Sequence, residues 1–139
     1  MKIPFTIAVL LFASAEDLKN FQIPDVCSVL IIALSGKFRI RAGLIMAALW
    51  LVMIIFVSLF NLPVPIGMGD AKLFTALAVS FGLVFSFYTF AFASILSGVF
   101  AVFLILRAKY SAKETPEFIP FAPFITAGFV LTVLCRAFL

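Results

Sequence analysis

The chain has 139 residues, of which 65% are hydrophobic and 12% are charged, and it contains no histidine. Its mean hydropathy of +1.31 is far above that of a soluble domain, in which roughly a quarter of the residues are charged. These values exclude an ordinary soluble protein and indicate an integral membrane protein in contact with the lipid bilayer. The net charge of +4 is scattered along the chain, a pattern typical of headgroup contacts and not of nucleic-acid binding.

The cysteine and histidine content argues against metal and redox chemistry. Cys27 and Cys135 both lie in apolar runs, and the sequence has no CxxC pair. Without histidine, serine–histidine and cysteine–histidine mechanisms are excluded as well. We therefore expect neither a metal site nor a cofactor.

The apolar runs predict an all-α membrane protein with about six transmembrane helices in one domain, residues 1–139. The first run, residues 3–15, ends in small residues as a secretory signal peptide does. We favour a retained first helix, because a cleaved chain would still be almost entirely membrane-embedded. The second run, residues 26–34, follows Pro24, which suits the first turn of a helix, and basic residues after Gly36 would let this short helix extend.

The later spans are predicted from longer runs. Residues 43–60 form the third helix. The uncharged stretch 71–106 would measure roughly 54 Å as a single helix, so it should fold into two spans with a turn near residues 82–88. A polar segment, residues 107–121, then precedes a last helix at residues 122–138.

Six spans place the ends of the first, third and fifth helices on one face of the membrane. All acidic residues of the chain then fall on that face: Glu16, Asp17, Asp25, Asp70, Glu114 and Glu117. The basic residues divide equally between the two faces, so the positive-inside rule does not give the orientation.

The segment Gly-Met-Gly-Asp-Ala-Lys-Leu at residues 67–73 places a carboxylate, Asp70, at the mouth of an apolar helix. A charge near lipid is costly, which favours a functional role. Gly67 and Gly69 would let a substrate backbone approach closely. A helix amino terminus would lower the pKa of Asp70 if nothing else intervened. Lys72 points away round the helix and is not expected to pair with Asp70.

Asp17, where the first run ends, is the candidate partner of Asp70. Two neighbouring carboxylates cannot both ionise easily, so one keeps its proton. The ionised group can take a proton from water and the protonated group can polarise a peptide carbonyl. From the residues alone, a proton or cation pathway and simple helix capping remain alternatives.

Three segments together resemble the type IV prepilin peptidases, the bacterial branch of the GxGD aspartyl proteases. The first is Asp17 to Asp25, an aspartate followed by a segment that ends in Ile-Pro-Asp, and the second is the Gly-Met-Gly-Asp-Ala-Lys-Leu segment. The third is Ile-Pro-Phe-Ala-Pro-Phe at residues 119–124, similar to an element that precedes the last helix in that family. The segments occur in the family's order.

This resemblance implies an aspartyl endopeptidase of the bacterial cytoplasmic membrane, a multi-pass GxGD protease-like bundle whose active site faces the cytoplasm. Asp17 and Asp70 would be the catalytic pair. Its substrates would be type IV pilin-like precursors, whose short basic leader is cut off before a hydrophobic helix. The remaining motif residues would shape the site or contact substrate: Asp25, Gly67, Gly69, Lys72, Pro120, Phe121 and Pro123.

Two further expectations follow from the resemblance. The chain lacks the paired CxxC motifs of longer members, which implies a peptidase without methyltransferase activity, similar to the short peptidases of Tad/Flp-type pili. The implied orientation places Lys37, Arg39 and Arg41 on the outer side, against the usual bias. The alternatives are a small transporter or channel subunit that uses the same carboxylates as ion or proton sites, and a non-catalytic accessory subunit.

Overall fold

The computed structural model describes residues 2–20, 22–36, 38–60, 67–111 and 119–138. This part of the chain is helical and contains no strand, which confirms the all-α prediction. The helices are α1 (Lys2–Asn20), α2 (Asp25–Ser35), α3 (Ile40–Leu59), α4 (Met68–Phe81), α5 (Leu83–Ser111) and α6 (Ala122–Phe138). Glu114 and Glu117 lie outside the described residues.

Several helix ends differ from the prediction. α1 continues to Asn20 and not only to residue 15, so Asp17 lies within the helix, because Glu, Leu and Lys are good helix formers and no breaker intervenes. For the same reason α5 runs five residues past Leu106, to Ser111. The predicted extension of α2 is wrong: Gly36, at φ 60°, ends the helix in the left-handed conformation typical of a helix carboxyl terminus.

The predicted turn between α4 and α5 narrows to one residue, Gly82. Its φ of 104° lies in a region that favours glycine. Arg39 covers this junction, since its backbone N–H donates to the Val79 carbonyl at 2.9 Å and its Nη1 donates to the Phe81 carbonyl at 2.7 Å. The arginine thus satisfies carbonyls at the end of α4 and ties the start of α3 to it.

Helix α4 is the centre of the bundle and packs against α2, α3 and α5. Phe74 is fully buried and its ring contacts those of Trp50 on α3 and Phe90 on α5. Hydrogen bonds between helices add to this packing: Ser80 Oγ donates to the Ile31 carbonyl at 3.2 Å and Ser86 Oγ to the Phe74 carbonyl at 3.0 Å. Such bonds hold helices together where apolar surroundings offer no other partner.

The backbones of helices α5 and α6 approach each other closely at Gly128. A Cβ at Gly128 of α6 would lie 2.7 Å from the Thr89 carbonyl oxygen and 2.9 Å from the Ala93 nitrogen, both on α5. Thr89 Oγ1 also donates to Thr132 Oγ1 at 3.3 Å. Small residues at a helix crossing permit this distance.

In the part of the chain that the structure describes, two helical segments are long and apolar enough to cross a membrane: Ile40–Leu59 and Leu83–Ala108. In the apolar stretches of these two segments, only 17% and 11% of the residues are buried in the bundle. Apolar side chains therefore form much of its outer surface. α2, with 11 residues, measures roughly 16 Å, about half the thickness of the hydrocarbon core. Six helices are therefore found in the described residues, and six spans stay a prediction.

The α5–α6 contact can be tested with a pair of glycine variants. We expect Gly128→Ala to lower the Tm in detergent by several degrees, because its Cβ would overlap the backbone of α5, and overpacking costs about 1–3 kcal/mol. Gly98→Ala is the matched control, since a Cβ there meets nothing within 4 Å. A Tm for Gly128→Ala equal to that of the control would contradict the close contact.

Candidate active site

Asp17 is held between α1 and the amino terminus of α6. Its side chain is buried, with 7% exposed, and its Oδ2 accepts a hydrogen bond of 3.0 Å from the backbone N–H of Ala122, the first residue of α6. The first N–H groups of a helix have no partner within the helix and carry partial positive charge. The contact therefore satisfies one of the free N–H groups at a buried helix end.

A polar contact one turn deeper fixes α1 against α6. Ser14 Oγ and Thr126 Oγ1 are 2.7 Å apart, and both hydroxyls bond to the Leu10 carbonyl. Ser14 precedes Asp17 by three residues and Thr126 follows Ala122 by four, so the two pairs stack along the interface. This contact sets the register in which the Ala122 amide meets the carboxylate.

Asp70 lies in the first turn of α4 and is buried to the same extent as Asp17. Its backbone N–H donates to the Gly67 carbonyl at 3.1 Å, which starts the helix. Its Oδ1 is buried and has no hydrogen-bond partner among the described residues. An unpaired buried carboxyl oxygen is unfavourable, so Asp70 is suited to bind a further polar group.

Both carboxylates line one cavity of about 520 Å³ at this end of the bundle. It lies between the end of α1 and the starts of α2 and α4. The other lining residues come from the segments around Asp25 and Asp70: Gln22, Ile23, Asp25, Gly67, Met68, Gly69 and Lys72. The chain thus brings together the two aspartates and four of the other residues that the motifs singled out.

Burial and, to a smaller extent, the negative charge of Asp17 together raise the pKa of Asp70 to about 7, while a hydrogen bond with the backbone of Gly67 acts in the opposite direction. Asp70 precedes the uncharged run that begins at Ala71 and so lies outside the segments expected to cross lipid. The helix terminus alone would have lowered this pKa. Desolvation and the neighbouring aspartate outweigh it, and Asp70 is largely protonated below neutral pH.

The two glycines of the motif are required by close contacts. A Cβ at Gly69 would lie 3.0 Å from Cβ of Ile23, and a Cβ at Gly67 would lie 3.2 Å from Oδ2 of Asp70. Both distances are shorter than ordinary packing contacts. Gly69 therefore allows the start of α4 to pack against the segment that precedes α2.

Asp25 and Lys72 form an ion pair at the rim of the cavity, with 2.7 Å between Oδ1 and Nζ. Lys72 thus has a partner other than Asp70, on a different helix. Pro24 occupies the amino-terminal cap of α2 without a side-chain hydrogen bond, and Asp25 is the first helical residue. The pair joins α2 to α4, but its exposure limits its contribution to about 1 kcal/mol or less.

Pro120, Phe121 and Pro123 lie near the site but do not contribute to the described cavity lining. All three are half-buried. The Phe121 ring packs 6.4 Å from that of Phe74, and Pro123 lies in the first turn of α6, where a missing N–H leaves no bond unmade. Sequence reasoning missed Ala122, although a proline in a first turn signals the helix start that supplies its amide.

The described residues contain no group of three or more His, Cys, Asp or Glu side chains that could hold a metal ion. The chemical groups that this end of the bundle offers are the two buried carboxyl groups, one beside a helix amino terminus and one with a raised pKa.

The described bundle thus brings two buried aspartates to one cavity. A profile of the type IV leader peptidase family matches residues 5–102, more than half of the chain. The protein belongs to this family. Membership supports a prepilin leader peptidase activity and, with the two long apolar helices, association with a membrane. Neither the curated proteins nor the solved structures gave a match.

The burial of Asp70 predicts a pH-dependent gain in stability for Asp70→Asn. The carboxyl ionises near 3.8 in the unfolded chain and near 7 in the folded protein, so the wild type loses stability as the pH rises across this interval. Asparagine does not ionise. We expect equal Tm values near pH 4 and a Tm several degrees higher for the variant above pH 7, because each pKa unit corresponds to about 1.4 kcal/mol.

Thermal unfolding in detergent between about pH 4 and 8 measures this difference. Glu16→Gln is the control, since the Glu16 carboxylate lies at the surface, where it accepts a hydrogen bond from Asn20. A difference for Asp70→Asn that stays constant across the range would contradict a buried, protonated Asp70.

Proposed function

We propose that the protein is a membrane aspartyl endopeptidase in which Asp17 and Asp70 act as a paired acid and base on one peptide bond. The observation that carries this proposal is the shared cavity, in which two buried carboxylates have different environments. Family membership supports the reaction class. The roles of the two aspartates and the substrate are proposals.

The different environments suggest a division of roles. Asp17 accepts a hydrogen bond from the Ala122 amide at the start of α6 and would be the ionised base. Asp70, with a free Oδ1 among the described residues and a raised pKa, would be the protonated acid. Such a pair, with unlike environments and one shared proton, is what aspartyl proteolysis requires.

In the first step, Asp17 takes a proton from water as the water oxygen bonds to the peptide carbonyl carbon. Asp70 donates its proton to the carbonyl oxygen, which gives a neutral tetrahedral diol. In the second step, Asp17 passes its proton to the leaving nitrogen and the C–N bond breaks. A hydroxyl of the diol returns a proton to Asp70, so both carboxyl groups regain their starting states.

The cavity suits a basic leader followed by an apolar helix. In the proposed mechanism Asp70 holds its proton and Lys72 pairs with Asp25, so Asp17 supplies the net negative charge that attracts a cationic peptide. Gly67 and Gly69 present backbone without side chains to an extended strand. We therefore propose type IV pilin-like precursors as substrates, and a multi-pass chain in the bacterial cytoplasmic membrane with this cavity toward the cytoplasm.

Cleavage of a panel of prepilin-like precursors by purified protein in lipid tests this function. We expect the wild type to cut next to the hydrophobic segment, and Asp17→Asn and Asp70→Asn each to lower kcat/KM by about 10²–10⁴, the contribution of a positioned acid or base. Asparagine keeps the size and polarity of aspartate but cannot titrate.

Glu16→Gln is the matched control, because it makes the same chemical change one residue from Asp17 outside the cavity lining. Near-wild-type cleavage by either folded aspartate variant would contradict the paired mechanism. If the wild type cut no precursor while its aspartates controlled proton or ion flux, the transporter alternative would replace the peptidase.

The division of roles predicts the pH dependence of cleavage. Because Asp70 must hold a proton to act as the acid, kcat/KM should fall as the pH rises through about 7, the pKa to which burial and Asp17 raise this group. The rate profile of the wild type and of Glu16→Gln should share this midpoint. A rate that instead increased through pH 7 would make Asp70 the base and reverse the assignment.

A further inference from the structure

A second cavity, larger than that of the aspartates, lies at the opposite end of the bundle. Its volume is about 800 Å³, and it is formed where α4 ends, α5 begins and α6 ends. Arg136, at this cavity, follows Ala122, at the aspartates, by fourteen positions of α6, roughly 21 Å along the helix. The two cavities are therefore distinct sites.

The lining combines an apolar wall with two arginines. Phe81, Phe85 and Phe92 contribute aromatic surface, and Arg39 and Arg136 contribute the charge. Arg39 precedes α3 and Arg136 lies in the last turn of α6. Arginines at helix ends lie at the level of lipid headgroups when a bundle is embedded in a bilayer.

No carboxylate of the described chain is placed to neutralise these arginines. The acidic residues in the described part lie at the aspartate end, on the last turns of α1 and the first turns of α2 and α4: Glu16, Asp17, Asp25 and Asp70. The cavity therefore offers two positive charges at the edge of an apolar space, the complement of an anionic amphiphile.

We propose that this cavity binds an anionic phospholipid of the surrounding bilayer. The phosphate would lie between Arg39 and Arg136, and an acyl chain would pack along the phenylalanine wall. Guanidinium groups bind phosphate with paired, charge-assisted hydrogen bonds, and basic pockets between membrane helices bind lipid headgroups in this way. The volume lies within the roughly 300–1,000 Å³ usual for ligand pockets.

Arg39 can serve the lipid and the fold at once. One of its guanidinium N–H groups donates to the Phe81 carbonyl, and a guanidinium has five such donors. A phosphate bound by the others would brace the junction at Gly82, where α3, α4 and α5 meet. This bracing would act on α4, whose other end carries Asp70.

A zwitterionic lipid and the proposed substrate match the cavity less well. Phosphatidylcholine has no net charge to offset two arginines, and the basic leader of a pilin precursor would be repelled by them. Under the proposed orientation, lipid binding also supplies a physical reason for arginines on the outer side, where the positive-inside rule does not place them.

Cys135 makes occupancy of the cavity measurable. It lines the cavity and is exposed, whereas the other cysteine of the chain, Cys27, is fully buried. A maleimide dye should therefore label Cys135 in protein purified in a neutral detergent. We expect added phosphatidylglycerol to slow this labelling in a saturable manner, and phosphatidylcholine or inorganic phosphate to leave it unchanged.

The variants separate a built site from general surface charge. Arg136→Gln should weaken the protection by phosphatidylglycerol about tenfold, the loss expected for one charge-assisted hydrogen bond. Arg41→Gln is the matched control, an exposed arginine at the same end that does not line the cavity. It should keep full protection. Far-ultraviolet circular dichroism and the labelling rate without lipid check that both variants are folded.

Each contrary outcome overturns the proposal. Equal protection by phosphatidylcholine would remove the role of charge, and an equal loss in Arg41→Gln would indicate nonspecific attraction. Protection by inorganic phosphate alone would assign the arginines to a soluble anion, and protection only by an apolar pilin-type helix would assign the cavity to substrate. Because labelling does not depend on proteolysis, these results are independent of the peptidase assay.

Discussion

The hydrogen bond between the Ala122 amide and the Asp17 carboxylate is the contact on which the arrangement of the site depends. A buried carboxylate needs a donor, and the first turn of a buried helix needs acceptors, so each group satisfies the other. The bond joins residues separated by 105 positions and closes α6 against α1. The bond also fixes the position of Asp17, whose negative charge contributes to the raised pKa of Asp70.

Helix α4 connects the two ends of the bundle and is fixed at both of them. At its start, the absence of a side chain at Gly69 admits Ile23, and at its end Gly82 leaves room for Arg39 to bond the last carbonyls. Between these points the helix is packed on three sides around Phe74. Among the described residues, no hydrogen bond holds the Oδ1 atom of Asp70. The position of this catalytic candidate therefore depends on the packing of the helix that carries it.

The separation of charge along the bundle gives its two cavities different chemistry. The carboxylates of the described chain gather where α1 ends and α2 and α4 begin, and arginines line the cavity where α4 and α6 end. The proposed substrate, a basic peptide, and the proposed ligand, an anionic lipid, each carry the charge opposite to that of the cavity assigned to them. Both cavities open at ends of the bundle, as placement of charge in a membrane protein requires, because the hydrocarbon layer between them does not solvate ions.

Composition and hydrophobic runs by themselves determined the helical class, the apolar outer surface and the approximate position of all six helices, because a chain this apolar has few other ways to satisfy its backbone. The unusual carboxylates and glycines marked Asp17, Asp70, Gly67 and Gly69. The parity of the helices predicted that the acidic residues lie at one end, which the structure confirms for the four that it describes. The specific contacts between helices could not be predicted from these sequence features. Ala122 shows why: it contacts Asp17 through its backbone N–H, and its alanine side chain gives no sign of this role.

Only the tertiary structure decided that the Ala122 amide meets Asp17, that Lys72 pairs with Asp25, and that burial outweighs the helix terminus at Asp70. Each outcome is a balance between a local preference and the surroundings supplied by other helices. The local conformational preference of a residue depends on its neighbours in the sequence, whereas desolvation and long-range pairing depend on which helices pack together.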